Sequence, residues 1–353
     1  MSTSDENIKI DHNIPVSSSI NAVSNDVCKL AVSVDDEMKP SAEHNVLNFG
    51  IERCANCGKE GSYIDMNTCN KCKMVKYCNA ACKKKHRHKH KKQCEEHIRL
   101  TTELAKLHYD KKLFKQPPPA EDCPICFQRL PTLVGSAKTM ACCGKQICNG
   151  CCYAPVYDHQ GNEVDEKKCP FCRSPHPTHD EATKLNMKRV ELGDARAIQN
   201  LGFYYFKGLR GYPQDYNKGF ELWHRAGELG NAVAYYSIGV AYDMGVGVER
   251  DEKKAVYYYE LAAIGGDTTA RHNLGIKEKR GGNMDRALKH YMIAVRGGNS
   301  GSLNQIQELY SLDLATKEDY TEALRAYQEY LVEIKSVQRD KAAAADEEKC
   351  RYY

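Results

Sequence analysis

No apolar run in this chain of 353 residues approaches the roughly 18 needed for a membrane-crossing helix, so no transmembrane span is expected. Met1 is not followed by a basic stretch and an apolar run, so no secretory leader is expected either. Leucine and valine are scarce in the front half, which is rich in lysine instead. A segment of that composition cannot fold on apolar burial alone and needs staples. Also missing are a nucleophile–base pair, a phosphate-binding loop and an open metal triad, which argues against a hydrolase or transferase with its own active site. The net charge of +4 makes no demand for a polyanion, and no nucleic-acid partner is expected.

Cysteine is what the chain has in excess. There are 18, of which 17 stand before residue 175. Without a leader the expected setting is a reducing compartment, cytoplasmic or nuclear, where clustered thiols bind metal rather than form disulfides.

The chain divides by composition. Residues 1–49 are rich in Ser, Asn and Asp without periodicity and read as a disordered tail. Residues 50–95 hold the first cysteine block and 96–119 a charged, helical connector that ends at Pro117-Pro118-Pro119. Residues 120–178 hold the second block, 180–335 a helix–turn–helix array, and 336–353 a polar tail that extends the last helix and then frays. The fold class is mainly α: two small zinc-stapled modules followed by an α-solenoid of helix–turn–helix repeats.

The first block reads Cys54-x2-Cys57, Cys69-x2-Cys72, Cys78-x3-Cys82, His90-x3-Cys94, eight soft ligands in four pairs, enough for two tetrahedral zinc ions. A C-x2-C turn brings both thiolates to one ion, and an x3 spacing puts two ligands on one helix face. Structural zinc contributes about 10–16 kcal/mol in finger peptides, enough to fold so small a module. His90, one turn from Cys94, is a better ligand than His86 or His88. The string resembles a MYND zinc finger in all eight ligand positions. That resemblance implies interleaved sites, Cys54, Cys57, Cys78 and Cys82 on one zinc and Cys69, Cys72, His90 and Cys94 on the other. It also implies binding of short proline-containing peptides. The run KKKHRHKHKKQ after Cys82 carries seven Lys/Arg and reads as a solvated helix whose cations offset the thiolate–zinc clusters, since no aromatics interleave for base stacking.

The second block reads CPIC (123–126), ACCGKQICNGCC (141–152) and CPFCR (169–173). Three C-x2-C pairs are clear. For the fourth, Cys142 and Cys143 are adjacent, and both reach one ion only in a tight turn, which Gly144 could provide. Cys152 and His159 are the alternatives. Cys28 and Cys350 have no partner pattern and read as free thiols. The block resembles a RING finger, with Lys145 where many members carry histidine. The resemblance implies one zinc on Cys123, Cys126, Cys148 and Cys151, and another on Cys142, Cys143, Cys169 and Cys172. It further implies a contact patch for a ubiquitin-conjugating enzyme at Ile125, Pro170, Phe171 and Arg173. A single-zinc or purely structural variant is the alternative.

In the array, KGFELW (218–223), KAVYYY (254–259), RALKHY (286–291) and EALRAY (322–327) fall into register at steps of 36, 32 and 36 residues. Each sets a small residue (Gly219, Ala255, Ala287, Ala323) one turn before an aromatic (Trp223, Tyr259, Tyr291, Tyr327). The preceding helices align through Leu201-Gly202, Ile238-Gly239 and Leu274-Gly275. Small residues allow close helix approach and the aromatics fill the core. The pattern resembles Sel-1-like repeats, relatives of the tetratricopeptide repeat, over about residues 194–330. Unit three lacks four residues in its turn and unit four lacks the Leu-Gly pair. Such solenoids bind peptides or helices. The expected function is a zinc-binding interaction scaffold with four structural zinc ions; the alternative is a RING-type ubiquitin ligase whose other modules recruit substrate.

Overall fold

A computed structural model describes residues 52–61, 66–132, 135–154, 160, 168–345 and 352. The tail expected over residues 1–49 lies outside them, as do Cys28, His159 and Cys350. The chain forms two compact units, Met1–Tyr109 and Asp110–Tyr353.

In the first unit, β1 (Glu52–Arg53) pairs antiparallel with β2 (Glu60–Gly61), and β3 (Asn67–Thr68) with β4 (Lys76–Tyr77). Strands this short bury almost nothing, so the module's core is a few side chains: Cys54, Met66 and Tyr77, packed with Val75 and the neighbouring thiols. Helix α1 (Ala80–Leu113) follows; it takes in the basic run and the connector as far as Leu113, and its residues from Asp110 belong to the second unit. Lys83 Nζ ties its first turn to the β3 ribbon by donating to the Thr68 carbonyl at 2.8 Å and to Asn70 Oδ1 at 2.6 Å.

In the second unit, β5 (Ala137–Thr139) pairs with β6 (Gln146–Cys148), and the five-residue helix α2 (Asn149–Tyr153) follows at once. Its core is Leu130, Met140 and Ile147 with Cys123, Cys148, Cys151 and Cys169. Ten more helices follow among the described residues: α3 (His179–Glu191), α4 (Ala195–Lys207), α5 (Tyr216–Glu228), α6 (Ala232–Met244), α7 (Glu252–Ile264), α8 (Thr268–Arg280), α9 (Met284–Arg296), α10 (Ser300–Ser311), α11 (Lys317–Ile334) and α12 (Val337–Ala345). Helices α4 and α5, α6 and α7, α8 and α9, and α10 and α11 pack as antiparallel pairs, and each pair stacks on the next. Asp194, Asp215, Asn231, Asp251, Asp267 and Asn299 each accept a first-turn backbone N–H, a cap that contributes about 1 kcal/mol apiece.

The Leu-Gly pair and the aromatic turn out to be two halves of one contact. The glycine of the first helix faces the aromatic of the second: Gly202 meets Trp223, Gly239 meets Tyr259 and Gly275 meets Tyr291. Trp223, Tyr259 and Tyr291 are buried accordingly. The fourth unit has no such glycine; Tyr327 stays half-buried and Tyr330, three residues on, is the buried ring. In the third unit the two helices are joined by Gly281-Gly282-Asn283 alone, which is the shortened turn.

Within the second unit, the residues that open it, Asp110 to Phe114, pack on this array. Arg271, 2 % exposed, donates to the carbonyls of Leu113 and Ala263, both at 2.8 Å. Arg286 pairs with Asp110 at 2.7 Å, and the Phe114 ring lies 4.7 Å from that of His290.

Candidate metal centres

Five tight hairpins in the two cysteine blocks share one backbone pattern. In each, the N–H four residues on donates to the carbonyl of the first residue, whose own N–H bonds back across the turn. This holds from Cys54, Cys69, Cys123 and Cys169, and from Met140. The fifth residue of each carries a positive φ: Gly58, Lys73, Phe127, Arg173 and Gly144 at 73°, 58°, 56°, 60° and 72°. Four of the hairpins are C-x2-C pairs, with thiols at the first and fourth positions; the remaining C-x2-C pair, Cys148 and Cys151, lies at the junction of β6 and α2. In the fifth hairpin the fourth position is Cys143, but the first is Met140, buried in the finger core. Cys142, at the third position, supplies the other thiol. The adjacent cysteines therefore converge because they sit inside the hairpin, where the chain is turning rather than extended.

The donors gather in four sets: Cys54, Cys57, Cys78 and Cys82; Cys69, Cys72, His90 and Cys94; Cys123, Cys126, Cys148 and Cys151; Cys142, Cys143, Cys169 and Cys172. Within each set all ligand atoms lie within 4.8 Å of one another. Bonds of about 2.3 Å from a tetrahedral zinc to sulfur imply sulfur–sulfur edges of about 3.8 Å. The observed edges are 3.7 Å for Cys57–Cys78, 3.6 Å for Cys78–Cys82, 3.8 Å for Cys69–Cys94, 3.8 Å for Cys126–Cys148, 3.9 Å for Cys143–Cys169 and 3.4 Å for Cys142–Cys172. His90 turns Nε2 toward Cys72 Sγ at 3.2 Å. The sets fit zinc in donor chemistry, number and spacing, and the clusters together with the finger architecture support zinc binding.

The electrostatics agree. Hydrogen bonding with Cys148 draws the Cys123 thiol down to about 4 against the effect of burial, and the same bond, with burial, pushes Cys148 up. Burial and bonding to Cys172 likewise push Cys142 up. A dication bound among them would let the thiols of such a set ionise together.

The remaining singled-out residues lie outside these sets. His86 Nδ1 pairs with Tyr77 Oη at 3.2 Å, and His88 is exposed. Cys152 Sγ points to the Ile147 carbonyl at 3.7 Å and joins no set. Ile125 packs half-buried in the finger core, Pro170 is half-buried, and Phe171 and Arg173 are exposed. Sequence reasoning missed two side chains that bear on the second finger. Arg189 of α3 stands over Gly144, where a Cβ would come within 2.7 Å of its guanidinium carbon. Arg339 of α12 reaches Cys126 Sγ at 3.8 Å. Neither stands in a recognisable pattern; each is a lone arginine brought in by tertiary folding.

Residues 54–94 match the sequence model of the MYND finger, and residues 195–231 and 232–267 match that of the Sel1 repeat. The chain thus carries a MYND finger and Sel1 repeats. For residues 120–178 the finding is the two cysteine sets themselves. The chain is similar to the ERAD-associated E3 ubiquitin-protein ligase component HRD3B of Arabidopsis thaliana, 28% identical over 137 residues, which are 38% of this chain and 21% of that protein. It therefore spans about a fifth of the length of that curated relative. Among solved structures it is similar to a Sel1 repeat protein from Oxalobacter formigenes, with 29% identity, a TM-score of 0.40, and coverage of 49% of this chain and 68% of that one. It is also similar to c5321, a protective antigen of uropathogenic Escherichia coli displaying an SLR fold, with 24% identity, a TM-score of 0.38, and coverage of 48% and 36%. No helix among the described residues is long and apolar enough to cross a membrane.

Proposed function

We propose that this chain is a zinc-stapled scaffold that joins protein partners, with four structural zinc ions, two in residues 50–95 and two in residues 120–178. The observation that carries it is that each of the four sets supplies four protein donors. A filled tetrahedron has no open position for substrate or water, which is the arrangement of structural rather than catalytic zinc. The MYND finger would take short proline-containing peptides and the repeat array helical or extended peptides. Thiolate ligands of this kind suit a reducing compartment, cytoplasmic or nuclear. The test is a bridging measurement on the zinc-loaded full chain. A proline-containing peptide, selected from a library by its NMR shifts on residues 54–94, is immobilised, and a second partner crosslinked to the array is captured through it. Capture of both on one chain supports the scaffold; a flat response of the finger across the library removes that arm.

A second reading is a RING-type ubiquitin ligase. What favours it is that Phe171 and Arg173 stand exposed at the tip of the last hairpin. A RING ligase acts by positioning the conjugating enzyme and its linked ubiquitin, and needs such an accessible surface. The similarity to a protein named as a ubiquitin-ligase component suggests a setting of that kind. Chain formation with any of a panel of conjugating enzymes, lost on Ile125→Ala and reduced on Arg173→Ala, would establish the ligase. No chain formation from folded, zinc-loaded protein leaves the scaffold.

A further inference from the structure

The second finger is gripped by the two ends of the repeat array. At the first end, Arg189 of α3 covers Gly144, and Arg196 of α4 pairs with Glu121 at 3.1 Å. At the last end, Tyr330 Oη accepts from the Thr132 backbone N–H at 3.0 Å and bonds its hydroxyl at the same distance. Glu333 pairs with Arg129 at 2.6 Å. Helix α12 then packs directly on α2, the helix that carries Cys151.

Arg339 is the centre of that second contact. It is 1 % exposed. Its Nη1 donates to the carbonyls of Arg129 at 2.9 Å and Ile334 at 2.6 Å, and its Nη2 to the Gln128 carbonyl at 3.4 Å and to Cys126 Sγ at 3.8 Å. Its backbone lies against Gly150, where a Cβ would stand 2.7 Å from the Arg339 nitrogen. Next to it, Gln338 Oε1 accepts from Cys151 Sγ at 3.7 Å. Gln128 and Arg129 follow directly on the Cys123–Cys126 hairpin, and Gly150 and Cys151 belong to α2. Arg339 therefore touches both chain segments that a metal on Cys123, Cys126, Cys148 and Cys151 would hold together, the first through its guanidinium and the second through its backbone.

We infer that the 123–172 finger is an internal clasp for the repeat array, in which metal loading at Cys123, Cys126, Cys148 and Cys151 and docking of α12 form one cooperative unit coupled by Arg339. The inference rests on the zinc half of the scaffold reading and is independent of which partners bind. The physical cause is shared geometry. Without the metal, the hairpin and α2 are no longer tied, and the carbonyl socket for a fully buried guanidinium opens. Coupling of this kind is reciprocal: whatever docks α12 must tighten the metal by the same factor. Arg339 is a positioning residue: it holds the ligand-bearing segments in place, and its guanidinium bonds the sulfurs of Cys126 and Cys148 from outside the donor set. Residues of that kind alter metal affinity by about 10–100-fold when removed.

The test uses the zinc-loaded full chain, titrated with a chromophoric chelator and followed in parallel by hydrogen exchange. Arg339→Met is expected to weaken one zinc equivalent by about 10–100-fold while residues 54–94 keep theirs. Amides of α12 should lose protection, and those of α6 to α9 should not. Arg339→Lys, which keeps the charge but not the fork, should fall between. In the wild-type chain, α12 protection should vanish in step with loss of one zinc, an arm that survives if Arg339→Met does not fold. An unchanged chelator curve for Arg339→Met overturns the coupling, as does α12 staying protected after the second finger is stripped of metal. Absence of zinc from folded wild-type protein would instead sink the zinc reading itself.

Discussion

The indole of Trp223 lies so close to Gly202 that a Cβ on the glycine would stand 2.7 Å from its Cδ1. Tyr259 lies the same way on Gly239, 2.6 Å from the corresponding point. A methyl group there must push a packed ring aside, which typically costs about 1–3 kcal/mol. Gly239→Ala should therefore lower the midpoint of urea unfolding of the array. Trp223 is the single tryptophan of the chain, so its fluorescence reports on the array alone. An unchanged midpoint would mean that the ring has free space the structure does not show.

His290 is buried, with neither ring nitrogen bonded among the described residues. Burial first, and then the facing Arg271 and Arg286, lower its pKa to about 3. The unfolded chain takes up this proton near pH 6.5 and the folded chain does not, so stability falls as pH drops below 6.5, by up to about 1.4 kcal/mol per pH unit until about pH 3. Asp267, raised by burial to about 6, acts with the opposite sign between its unfolded pKa and pH 6. The wild-type profile is thus a sum, and the difference from His290→Leu isolates the histidine. The variant should lose less stability than wild type between pH 6.5 and pH 4, read by Trp223 fluorescence in urea. Parallel profiles would contradict a neutral His290.

The offset thiol of the fifth hairpin makes a specific demand. Cys142→Ser and Cys143→Ser should each cost one zinc equivalent, whereas Cys152→Ser should cost none. Since Met140 holds the position that cysteine holds in the other four hairpins, Met140→Cys should restore the metal lost in Cys142→Ser. Metal analysis of the purified variants reads all four. Retention of full zinc in Cys142→Ser would show that this thiol is not a ligand.

Much of this was written in the sequence because the relevant spacing is local. A C-x2-C hairpin closes within six residues, and a small residue one turn before an aromatic marks a helix face wherever that helix packs. The limits are equally physical. Cys142 and Cys143 could not be settled by adjacency, since the answer depends on a hairpin that begins at Met140, a residue with no ligand to advertise it. Tyr327 packs half-buried against the Ile306 and Leu309 core, and the fully buried ring of the last unit is Tyr330, which the repeat pattern could not mark because Gly298 and Thr132 outside the helix pair cover it. The chain after Ser336 reads as a polar tail that extends α11, yet Lys335 takes an extended conformation and α12 sets off separately, burying Arg339 and Ala342. Partners more than two hundred residues away in the chain, the carbonyls of Arg129 and Gln128 and the sulfur of Cys126, help to give that arginine its place.

If the four donor sets are metal sites, native mass spectrometry of the purified full chain, before and after acid release of metal, shows it most directly. The expected result is a mass difference of four zinc ions per chain, one for each set, with Cys57→Ser and Cys172→Ser each removing one. A folded chain that carries two zinc ions, or none, would contradict it.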